Sequence, residues 1–262
     1  MRIRNTIINA GLFALALGAS ALAAPLTPLP QSYTGLALNV AVPTHTYNVG
    51  TGGAFAGVVA HDSLFTDAFV SQFWCVDNEN FVTPGPNTKF LANITPLGNW
   101  AGGTNADVRK GTLPAASWQN GGALTPLQRY QAAAWLLAQT TFYQGAALNA
   151  AADLPIQQAI WALTDVKNVS PNNSAWTNAF FNNAVSFITL GANADYGKGQ
   201  WAVVSGVVNN LGAVSDSDRR QTFLVQLKQR EIEENPTPEP ATYAMMGLGL
   251  LAVAGIRRRR KS

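Results

Sequence analysis

The chain has 262 residues, 47% of them hydrophobic and only 12% charged, with 17 Lys and Arg against 14 Asp and Glu. Seven of those cations (Arg2, Arg4, Arg257, Arg258, Arg259, Arg260 and Lys261) lie in the two terminal segments, so residues 24–240 carry ten basic and 14 acidic side chains, a net charge of −4. The remaining cations are scattered among acids and form no run, which excludes nucleic acid as a partner.

In chain order, Arg2 and Arg4 precede an apolar stretch from Ile7 to Leu17 and small residues ending in Ala21-Leu22-Ala23. Charge, grease and small residues in that order predict a secretory signal peptide, residues 1–23, removed after Ala23. The expected mature body, residues 24–229, is long enough for one domain with a sizeable core.

Its first part reads as strands and loops. Leu36 to Val42 alternates in the strand manner, His45 to Val49 continues it, and Gly50, Gly52, Gly53 and Gly57 punctuate the run. A further strand is expected within Phe65–Val76, followed by turn-rich sequence after Pro84.

Helices follow. Thr125-Pro126-Leu127-Gln128 combines a Thr cap, a proline at the first helical position and a Gln three residues after the cap, which predicts a helix to about Gln139. A second helix is expected from near Asp153 and Pro155, with Ile156, Ile160 and Leu163 on one side. Ser174 is expected to cap a third, Ala175 to Leu190, burying Trp176, Phe180, Phe187 and Ile188. Strand patterns return at Gln200–Val208 and Gln221–Leu227. The fold expected is α+β, a β-rich sandwich or barrel-like domain with a cluster of about three helices. Gln131-Ala-Ala-Ala-Trp135 and Gln157-Gln-Ala-Ile-Trp161 are alike. Two similar amphipathic helices account for this better than a repeat architecture.

Residues 230–240 form a charged linker ending in Pro238-Glu239-Pro240, and residues 241–262 hold sixteen uncharged residues, Ala241 to Ile256, before five cations. At 1.5 Å per residue the apolar segment falls short of a ~30 Å hydrocarbon core and needs its flanks to span it. The cations Arg257, Arg258, Arg259, Arg260 and Lys261 would stay on the cytoplasmic side and hold the body outside. This tail resembles the PEP-CTERM sorting signal of Gram-negative bacteria. The resemblance implies an exosortase-like processing enzyme as partner, transient anchoring in the inner membrane, cutting near Pro-Glu-Pro, and release to the cell surface or an exopolysaccharide matrix.

Cys75 is the one cysteine, so no internal disulfide is available to the chain. A buried small hydrophobe, half of an intermolecular disulfide and a reactive sulfur all remain open for it. Phe73-Trp74-Cys75-Val76-Asp77, with Ile156-Gln157-Gln158-Ala159-Ile160-Trp161 far downstream, resembles the thioester domain of Gram-positive surface adhesins over Phe65 to Phe187. Ile156 stands where that motif usually has Thr. The resemblance implies a bond between Cys75 and Gln157, rather than Gln158 or Gln131, opened by an amine on a target surface. Adhesion by that route, or non-covalent service in an exopolysaccharide layer with a polysaccharide ligand, is the expected role.

Enzyme readings have less behind them. His45 and His61 lack the spacing of a zinc site, no catalytic residue stands out, and no cofactor or metal is expected. Gly50-Thr-Gly-Gly lacks the lysine and helix of a phosphate loop. Asp77 and Glu79, in Asp77-Asn78-Glu79-Asn80, lack the glycine and distal acid of a calcium loop and are expected in solvent. A secreted polysaccharide hydrolase would need paired carboxylates that sequence cannot show to meet.

Overall fold

Antiparallel neighbours with one face buried need alternation, which the long second strand supplies, whereas the other long strands are buried along most of their length. A computed structural model describes residues 27–80, 82–113, 124–141, 143–146, 149–165, 170–208, 212–213 and 220–228. The signal peptide, linker and tail expected above lie outside these residues. The strands are β1 (Leu29–Pro30), β2 (Gly35–Val49), β3 (Gly52–Ala60), β4 (Phe69–Cys75), β5 (Lys89–Pro96), β6 (Trp201–Gly206) and β7 (Phe223–Lys228). They are ordered β1-β7-β4-β3-β2-β5-β6, and an additional β6–β7 pairing closes the last six into a barrel, not a sandwich. The short β1 lies parallel to β7 at Leu227 and Lys228, continuing the edge that β4 occupies at Phe223–Val225.

Two strands were not visible as such in the sequence. β3 runs straight through Gly52, Gly53 and Gly57, because these glycines admit close neighbours instead of turning the chain. A Cβ on Gly57 would lie 2.3 Å from the Phe73 ring across the β3–β4 ladder. β5 emerges from the turn-rich stretch after Pro84 and pairs with both β2 and β6. The two expected runs, Leu36–Val42 and His45–Val49, belong to one fifteen-residue strand, β2, with register shifts at Ala41/Thr44 and His45/Tyr47.

The helices start where their caps place them. In α1 (Pro126–Leu137) the Thr125 side chain accepts from the Gln128 N–H and the Gln128 side chain accepts from the Thr125 N–H, a complete capping box. This helix is buried almost all round, not only along Leu127, Ala134 and Leu137. α2 (Ala150–Thr164) begins three residues before Asp153, capped by Asn149. Asp153 is buried and accepts hydrogen bonds from Tyr47 and from the backbone and hydroxyl of Thr141.

α3 (Ala175–Thr189) is capped by Ser174 as expected. It buries Thr177, Phe181, Ala184 and Ile188, whereas Trp176 is 70% exposed, a correction to the expected core. The buried stripe is offset from the expected one, and Phe187 instead stacks on Trp135 at a centroid distance of 4.9 Å.

The three helices pack on one another, and α2 meets β2. The β2–β3 turn, the C-terminal end of β4 and the start of β7 share one end of the barrel, since Asn48 pairs with Gly53, Ala54 with Trp74, and Cys75 with Phe223. α2 runs past this end: a Cβ on Gly50 would lie 3.3 Å from Leu154, and one on Gly52 2.4 Å from Trp161.

Replacing Gly57 by Ala drives a methyl group into the ring of the fully buried Phe73. The variant is expected to lose about 1–3 kcal/mol, read as a lowered urea midpoint at unchanged slope.

Candidate functional site

Cys75 ends β4, and the backbone beyond it turns away from the ladder with several polar groups still buried. Asp77 and Asn80 are 4% and 7% exposed, so the run from 75 to 80 has to find partners inside the protein. α2 supplies two of them. The Gln157 amide donates from Nε2 to the Cys75 carbonyl at 3.0 Å, and the Thr164 hydroxyl donates to the Val76 carbonyl. Gln157 sits one helical turn before Trp161, and both side chains pack over Gly52, whose missing Cβ would lie 3.2 Å from the Gln157 amide carbon.

The Cys75 thiol is fully buried. Its Sγ donates to the Asp77 carbonyl at 3.3 Å and accepts from Gln221 Nε2 at 2.6 Å, and the same Gln221 nitrogen reaches the Asp77 carbonyl at 3.1 Å. Burial pushes the thiol up to about 12, against the contrary pull of the Asp77 backbone, the Trp161 side chain and Gln221. The sulfur is therefore a protonated thiol at neutral pH, with the Trp161 side chain and the Gln221 carboxamide against it.

Of the three glutamines that the sequence offered, Gln157 is the one that contacts Cys75. Gln158 accepts from the Thr177 hydroxyl, and Gln131 donates to the carbonyls of Ala194 and Tyr196. The histidines are engaged elsewhere. His45 Nε2 bonds the Gly52 carbonyl while its ring stacks on Phe55 at 4.1 Å, so it is half-buried instead of a surface residue, and burial lowers its pKa. His61 is exposed and bonds Asp67 and the Ser32 carbonyl.

Asp77 and Glu79 correct the expectation of a solvated loop. Asp77 accepts from Arg109 at 3.0 Å, from the Glu79 N–H at 2.9 Å and from Asn80 at 3.0 Å, and both members of its ion pair are about 95% buried. Glu79 accepts from Lys110 Nζ at 2.6 Å. Arg109 and Lys110 come from the loop after β5, a segment that carried no motif, and Gln221 looked like the start of a strand. What marked them in the sequence was their rarity, as three polar side chains beside apolar runs in a chain with few charges. Among the described residues no group of three His, Cys, Asp or Glu side chains is placed to hold a metal ion, and no helix is long and apolar enough to cross a membrane.

A family model, the PEP-CTERM protein-sorting motif, matches residues 236–260, which include Pro238, Glu239, Pro240 and the cations Arg257 to Arg260. No curated protein and no solved structure matches the chain. The protein thus carries the signal of an exported exosortase substrate that is transiently associated with a membrane.

Truncating Asp77 to Ala leaves Arg109 buried without its counter-ion, and breaking such a pair costs about 3–5 kcal/mol. The corresponding variant at the exposed Asp195–Lys198 pair is expected to change the urea midpoint little.

Proposed function

We propose that this exported, exosortase-sorted protein is a surface or matrix adhesion protein that acts once, through a thioester between Cys75 and Gln157, and not as an enzyme that turns over. The observation that carries the reading is the buried meeting of a lone cysteine with a glutamine carboxamide from another element, Nε2 lying 3.0 Å from the Cys75 carbonyl.

The chemistry conserves atoms and charge. Sγ of Cys75 attacks Cδ of Gln157, the Sγ–Cδ bond forms as Cδ–Nε2 breaks, and the thiol proton leaves with that nitrogen as ammonia. The raised thiol makes the attacking thiolate scarce. Proximity works against that cost, since well-oriented intramolecular attack reaches effective molarities of about 10⁵ M or more. Burial of Cys75, Gln157 and Trp161 keeps water from the acyl carbon. A primary amine on a target surface then takes the acyl group as an amide and returns the thiol.

A second reading keeps the export and drops the capture: a non-covalent component of an exopolysaccharide layer, with Cys75 as a packed core residue. The 2.6 Å contact of Gln221 with Sγ favours it, because it satisfies the sulfur as a thiol.

The freshly purified chain, kept in amine-free buffer and digested, is expected to show the peptides of Cys75 and Gln157 joined with one ammonia missing. Gln157→Ala should restore a free thiol, and methylamine should add to Gln157 of the wild type. An intact amide beside a free thiol in the folded wild type sinks the capture reading and leaves the structural one.

A further inference from the structure

The polar run after β4 holds a second constellation that the Cys75 chemistry does not use. Lys110 follows Arg109 in the loop after β5, and the Arg109 backbone just before it is held from both sides: its N–H donates to the Ser205 hydroxyl at 3.1 Å and its carbonyl accepts from the Tyr130 hydroxyl at 3.0 Å. Lys110 itself adopts φ +58, a conformation that side-chain-bearing residues avoid, and strain of this kind persists only where surroundings over-determine it. Its side chain is turned inward and is 7% exposed.

Two carboxyls face the ammonium. Glu79 Oε2 lies 2.6 Å from Lys110 Nζ with its side chain 20% exposed, and Asp165 Oδ1 lies 3.8 Å away with its side chain fully buried. Asp165 closes the C-terminal end of α2, its N–H bonded to the Trp161 carbonyl at 2.7 Å. Burial would raise the Glu79 carboxyl, but the hydrogen bond and charge of Lys110, then a hydrogen bond from Asp165 and the charge of Arg109, hold it below the usual carboxylate range.

An amine held between two carboxyls in one water-poor site presents the reactants of amide formation and a base to catalyse it. We propose that Lys110 and Asp165 condense to an intramolecular isopeptide bond, with Glu79 as the catalytic base. Glu79 takes a proton from Lys110, the freed amine attacks Asp165 Cγ, and the Nζ–Cγ bond forms as one Cγ–O bond breaks. That oxygen departs as water, carrying a second proton of Nζ and the proton that Glu79 took, which leaves Glu79 a carboxylate again. No oxidant or other reactant is required. Nζ already lies 3.8 Å from Oδ1 of the carboxyl it would attack, and bond formation requires it to swing towards Cγ into a near-attack geometry. The product ties the loop after β5 to the end of α2, a permanent cross-link in a body whose one cysteine allows no internal disulfide.

This proposal is independent of the thioester, and one experiment separates them. The intact mass of the folded, freshly purified chain is measured before and after hydroxylamine, which cleaves a thioester and leaves an amide, and a chymotryptic digest is sequenced by fragmentation. The expected result is a loss of one water that survives hydroxylamine, mapped to a branched peptide joining Lys110 to Asp165. Lys110→Arg, which keeps the cation but not the nucleophile, should show the full mass. Glu79→Gln, folded by circular dichroism, should form the link about 10²–10⁴-fold more slowly. A folded wild type of full mass with an unmodified Lys110 overturns the proposal and leaves a buried ion pair, as does a water loss that persists in Lys110→Arg.

Discussion

Everything at the functional end of this barrel depends on one requirement: the chain leaves β4 while still inside the protein. Beyond the Val76 N–H, which still bonds the Thr222 carbonyl, the chain has no ladder to join while Asp77 and Asn80 remain buried, and each unpaired polar group there would cost about 1–3 kcal/mol. The fold meets the requirement from three directions, through Gln157 and Thr164 of α2, Arg109 and Lys110 of the loop after β5, and Gln221 before β7. Those elements are far apart in sequence, so the segment works as a hub that fixes the helical cluster against the barrel. The same requirement gathers the reactive groups, because what satisfies a buried polar segment is a set of amides, acids and amines.

Burial has opposed effects on the two candidate reactions. For Cys75 it withholds the thiolate by raising the pKa, yet it also protects any thioester from water. For Lys110 and Asp165 it keeps out the water that would compete with amide formation. Glu79, with one edge in solvent, is the part of that trio able to trade protons with the outside. α2 links the two sites: Gln157 and Asp165 lie about two turns apart on the same helix, roughly 12 Å at 1.5 Å per residue.

How much of this was legible follows from the range over which each signal acts. The caps Thr125 and Ser174 located their helices because capping is a matter of three or four residues. β3 was hidden because its glycines answer to Phe73 and Trp161, neighbours fixed only by the tertiary fold. Trp176 was misplaced because a large apolar residue near a cap reads as core unless the register of the buried stripe is known. At the site, Cys75 and Gln157 were legible through the resemblance of short motifs, whereas Gln221, Arg109 and Lys110 carry no local pattern. Their roles come from barrel closure, which brings the start of β7 and the loop after β5 to the end of β4. Asp77 and Glu79 were read as solvated for the same reason, since their counter-ions stand about thirty residues away.

The last described strand has a mechanical meaning. β7 is laddered on both edges, to β6 along one side and to β4 and then β1 along the other. The sorting segment follows this strand in sequence, so a pull on the tail enters the barrel at Lys228. A strand held by one edge peels, surrendering hydrogen bonds one after another. A strand held by two and pulled along its length must shear both ladders together, so resistance to extraction rests on how slowly the barrel opens and not on its equilibrium stability.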